Sequence, residues 1–68
     1  MKSYTDKNGR IWTSDGEDFW LCNEDGLQVE EYRTAKNEPI WIAFAPDRGM
    51  ILKRTTAQAA MDAAGNKQ

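Results

Sequence analysis

A chain of 68 residues with a formal charge of −2, a single cysteine and no histidine is one domain at most, taken here as residues 1–68. It can form neither an intramolecular disulfide nor a Cys/His zinc site. A domain this small buries only about 60% of the surface its unfolded chain exposes, so cohesion must come from the seven aromatic residues, each burying roughly 150–250 Å², or from a partner chain.

Asp6-Lys7-Asn8-Gly9 opens the chain with a hairpin signal, and predicts strands near residues 3–6 and 10–14. Residues 14–17, Ser-Asp-Gly-Glu, form a second turn. Phe19-Trp20-Leu21-Cys22 is an apolar run of strand length. Residues 23–26, Asn-Glu-Asp-Gly, turn again. Leu27, Val29 and Glu31 then alternate with Gln28, Glu30 and Tyr32, the period of a strand with one wet face. Residues 34–39 read as a loop ending in Pro39. In the next run Ile40, Ile42 and Phe44 share one face, and Trp41, Ala43 and Ala45 share the other. With both faces apolar, this is expected to be the central and best-buried strand. Pro46-Asp47-Arg48-Gly49 closes a hairpin, and Met50-Ile51-Leu52 returns.

The period then changes. Thr55 with Gln58 three residues later has capping-box spacing. Ala57, Ala60, Met61 and Ala64 fall on one stripe of a helix, and Gly65-Asn66 reads as its stop. Residues 66–68 are expected to fray. The architecture expected is α+β: an antiparallel β-meander of four to five short strands, with one C-terminal helix packed on one face.

Residues 40–64, an aromatic strand, a tight turn, a second strand and a Thr-initiated Ala-rich helix, resemble the C-terminal part of sheet-plus-helix DNA-binding modules such as the plant AP2 type and phage integrase arm-binding domains. Those families read DNA with Arg and Trp on the sheet. The resemblance implies a topology. Trp41 is available here, but Ile40, Ile42, Ala43 and Phe44 supply no cation beside it.

Charge is unevenly spread. Residues 1–31 carry eight acidic residues against three basic ones, and residues 32–68 carry six basic against three acidic. General acid–base work usually employs a histidine or a carboxylate of shifted pKa in a cleft. Here histidine is missing and the carboxylates sit in turns, so no enzymatic activity, catalytic residue, cofactor or metal is expected. Asp6-Lys7-Asn8-Gly9-Arg10 starts like a calcium loop but places Arg10 at the fifth position. Cys22 in a strand pattern is expected to be a small buried hydrophobe. The N-terminus turns polar at once, without a signal-peptide pattern, and no run reaches the ~20 apolar residues of a membrane span. A cytoplasmic location and no membrane partner are expected.

The function expected is protein binding. The acidic turn residues Asp15, Glu17, Asp18, Glu24 and Asp25 would steer onto a basic partner surface, and Trp20 and Trp41 would supply buried contact. The small acidic build resembles accessory proteins of phages and mobile elements that inhibit or redirect a larger host protein. A second reading is a DNA-binding regulator that grips phosphate through Arg33, Lys36, Arg48, Lys53 and Arg54. A third is a subunit or homodimer whose aromatic face is an oligomer seam.

Overall fold

The computed structural model of the protein describes residues 1–16 and 18–66. Glu17, one of the acidic residues singled out above, lies outside the described residues. So do residues 67 and 68 of the segment expected to fray; Asn66 closes the helix.

Among the described residues six strands form one antiparallel sheet in chain order: β1 (Lys2–Thr5), β2 (Ile11–Ser14), β3 (Phe19–Cys22), β4 (Gln28–Arg33), β5 (Pro39–Ala45) and β6 (Gly49–Arg54). The meander is as expected, but the strand count exceeds the expected four to five. Every extended segment pairs, because short returns hold even four-residue strands in register. In the first return, Asp6 N–H donates to Arg10 O and Gly9 N–H to Asp6 O, with Gly9 at φ 82°. The β4–β5 return repeats this pattern with Thr34, Glu38 and Asn37. There Asn37 takes φ 64°, a conformation that asparagine tolerates better than most residues.

Helix α1 (Ala57–Asn66) follows β6 and crosses one face of the sheet. It packs on β6, β5 and β4 and ends over the β1–β2 turn. Its cap is Thr56, whose Oγ1 accepts the Ala59 N–H at 3.1 Å. The expected Thr55–Gln58 box is thus one residue out of phase. Ala60, Met61 and Ala64 are buried as the stripe predicts. The helix ends at Asn66, as expected of the Gly65-Asn66 stop, and Gly65 also faces the first turn. A Cβ there would sit 2.6 Å from Asn8 Nδ2 and 3.1 Å from Asp6 Oδ2, so glycine serves close approach to the first turn.

The core lies between helix and sheet: Trp12, Cys22, Leu27, Val29, Ala43, Ala45, Leu52, Ala60, Met61 and Ala64. Trp12 is the largest fully buried side chain. β5, expected to be central and buried on both faces, is one strand from the β6 edge. Its Ala43 and Ala45 are buried, whereas Ile40, Ile42 and Phe44 are only half-buried. The reason is architectural: one helix supplies one cover. The molecule measures 33 × 26 × 19 Å, two layers thick rather than three.

Candidate functional site

Strand register assigns each side chain to a face. Tyr4 pairs with Trp12, Trp12 with Cys22, Trp20 with Val29, Val29 with Ala43, and Ala43 with Leu52. These residues look toward the helix. The alternate positions form rows on the other face. One row runs Thr13, Leu21, Gln28, Phe44, Met50; the next runs Phe19, Glu30, Ile42, Lys53; Tyr32 pairs with Ile40 in a third. A bulge opposite Ala43 and Phe44 shifts the register, so Phe44 meets Met50, and Ile51 packs against the core.

The helix-side face ends in a polar clasp. Asp6 Oδ2 accepts the Trp12 indole N–H at 2.8 Å. Its Oδ1 accepts the backbone N–H of Asn8 at 2.8 Å and of Arg10 at 3.0 Å. Asp62 of the helix accepts Tyr4 Oη–H at 2.8 Å and the Lys7 N–H at 3.1 Å, both through Oδ1. Burial pushes the Asp6 carboxyl upward, but donation from Trp12 and from the Arg10 and Asn8 backbones outweighs it and holds the pKa below its ordinary value. Burial, and then the bond to Asp62, raises the pKa of Tyr4. Both oxygens of Asp6 and Oδ1 of Asp62 are thus occupied by the fold's own donors. A groove of about 430 Å³ runs alongside, lined by Lys7, Thr56, Gln58, Ala59, Asp62 and Ala63. Among the described residues no group of three or more His, Cys, Asp or Glu is placed to hold a metal.

Among the described residues no element covers the opposite face. Ile11 is 53% exposed, Met50 54%, Tyr32 43% and Phe19 37%, and Leu21, Ile40, Ile42 and Phe44 are half-buried. The Tyr32 and Phe44 rings meet edge to face with centroids 6.2 Å apart. Tyr32 Oη–H donates to Glu30 Oε1 at 2.9 Å, a bond that raises the pKa of Tyr32. Toward β2 a shallow depression of about 290 Å³ is lined in part by Thr13, Asp15, Phe19 and Leu21.

The residues singled out from the sequence are dispersed. Asp15 and Asp18 lie in the β2–β3 turn, while Glu24 and Asp25 lie in the β3–β4 turn at the opposite end of the sheet. Asp25 is held by Arg10 at 2.6 Å. Trp20 and Trp41 are half-buried against the core on the helix-side face, so neither lies on the open face. Of the basic residues, Arg48 sits in the β5–β6 turn, whereas Arg33 and Lys36 lie at the other end, around the β4–β5 return. Lys53 and Arg54 are successive in β6 and therefore point to opposite faces. Cys22 is fully buried, and burial pushes its thiol pKa up. Sequence reasoning overlooked Ile11, Phe19, Leu21, Tyr32 and Met50 as contact candidates. Their signal was the period of two, with Phe19, Leu21 and Tyr32 each out of phase with a core neighbour.

No family model matches the chain, and no curated protein or solved structure is significantly similar to it. Among the described residues no helix is long and apolar enough to cross a membrane.

Proposed function

We propose that this chain is a non-enzymatic protein-binding module that docks through the open face of its sheet. The observation that carries this reading is the concentration of Phe19, Leu21, Tyr32, Ile42, Phe44 and Met50 on one face that the helix leaves uncovered. Leaving such side chains in water forfeits roughly 25 cal/mol for each Å² that a partner could cover. Asp15, Asp18, Glu24 and Asp25 lie around this face at the two ends of the sheet and would steer encounter rather than supply the buried contact. The nucleic-acid reading draws less support, because Arg33, Lys36, Arg48, Lys53 and Arg54 are divided between ends and faces, and a phosphate track needs them contiguous.

The test replaces Ile42 and Phe44 together by threonine, which retains strand propensity. The variant should keep its far-ultraviolet spectrum and a cooperative melt, while losing a stoichiometric protein partner that the native chain retains. Partner binding unchanged in a folded variant would refute docking through this face.

A further inference from the structure

The row Phe19, Glu30, Ile42, Lys53 extends toward Asp15, which lies just beyond β2 and lines the same depression as Phe19 and Leu21. An acidic group therefore stands at one end of the open face and a basic group at the other, with β4 midway between them. The neighbouring row, Thr13, Leu21, Gln28, Phe44, Met50, is centred on β4 in the same way. Glutamine holds its middle and an apolar residue stands on each side. This arrangement is complementary to its own rotated image.

Resting on the docking face proposed above, we infer that its occupant is a second copy of this chain, packed face to face about a two-fold axis running along β4. Rotation about that axis brings Lys53 over the partner's Asp15, Phe44 over the partner's Leu21 and Ile42 over the partner's Phe19. Each contact occurs twice, as a two-fold interface requires. Gln28 meets its own copy, an amide pair able to both donate and accept. Within the two described rows, like charges meet at Glu30 and its copy, and Tyr32 Oη draws that carboxylate toward the third row. Five strands, β2 to β6, overlap. At about 4.8 Å between strands and 3.4 Å per residue the footprint is roughly 24 by 20 Å. Corrugation makes its accessible area larger, so two copies remove on the order of 1,200 Å² from water, the lower edge of specific interfaces. Two faces of twisted antiparallel sheet stacked ~10 Å apart form a sandwich core of ordinary thickness.

Light scattering on the full chain tests this. At ~100 μM, above the micromolar constants that weaker specific interfaces show, the native chain should have twice its 7.8 kDa mass. D15K places lysine against the partner's Lys53, and K53E places glutamate against the partner's Asp15, so each variant alone should run as a monomer or dissociate at least tenfold more readily. An equimolar mixture of the two restores both pairs and should recover the doubled mass. E30Q removes the central repulsion and should tighten the dimer. A monomeric native chain, or a dimer that D15K and K53E leave unchanged, would overturn the inference. A monomeric native chain that nonetheless binds another protein, with loss of that binding in the Ile42/Phe44 threonine variant, would leave the docking face standing and remove only the second copy.

Discussion

The two faces of this sheet are built from the same strands, often from adjacent residues, yet they do different work. The helix-side face holds Trp12, Cys22, Leu27 and Val29 without exposure and satisfies its polar atoms through Asp6 and Asp62. The open face keeps Ile11, Phe19, Tyr32 and Met50 in water, and the polar groups in its rows, Gln28, Glu30 and Lys53, stand among apolar neighbours. The comparison teaches that apolar alternation marks burial only where a second layer exists to provide it. In a two-layer domain one of two apolar faces is left over, and the leftover face is the one we propose a partner covers.

The comparison can be broken most violently on the helix side. Trp12→Ala removes the largest buried side chain and should cost about 3–5 kcal/mol, enough to unfold a domain of this size in a thermal or urea melt. Asp6→Ala strands the Trp12 indole N–H and two backbone donors. The buried indole left unpaired costs about 1–3 kcal/mol, and the part-buried Asn8 and Arg10 donors lose the acceptor that fixes the turn, so a clear fall in melting temperature is expected. Acidification reaches the same clasp by another route. A carboxyl whose folded pKa is depressed contributes stability that is fully present above its unfolded value of 3.8, and that is lost as pH falls through the lower folded value. Unfolding followed from pH 5 downward should show this loss, and Asp6→Asn should flatten that part of the curve.

A smaller effect sharpens the reading of the helix end. Replacing an interior helical glycine by alanine ordinarily gains about 1 kcal/mol. Gly65→Ala should fail to gain it, because the added Cβ meets Asn8 and Asp6; a stabilised variant in chemical denaturation would refute the close-approach account. Of the truncations, the smallest intrinsic effects belong to the open face. Phe44→Thr should cost the monomer only about 1–2 kcal/mol, from the apolar area the half-buried ring loses and the edge contact with Tyr32, when unfolding is followed at high dilution.

Much of this fold is legible in the amino-acid sequence. Asn8-Gly9 and residues 46–49 set hairpins through ordinary turn chemistry, and the Ala57, Ala60, Met61, Ala64 spacing placed the helix and its buried stripe. What local pattern does not carry is which of two apolar faces the helix chooses. Ile40, Ile42 and Phe44 look more core-like than Trp41, Ala43 and Ala45, yet the helix takes the latter, since alanines let it approach the sheet closely. Trp20 and Trp41 consequently lie on the covered side, and the contact candidates shift to Phe19, Leu21, Phe44 and Met50. Gly65 shows the same limit at a single residue: its place at the helix end is legible locally, but its close packing on the folded first turn is not.

The central claim is that the covered face folds the chain while the open face associates it. Urea unfolding of the native chain and of the Ile42/Phe44 double threonine variant, each at two chain concentrations, tests this most directly. The account predicts a native midpoint that rises with concentration, as coupled association requires, and a variant midpoint that is cooperative and independent of concentration. A concentration-independent native midpoint, or a variant unfolded at every concentration, would contradict it.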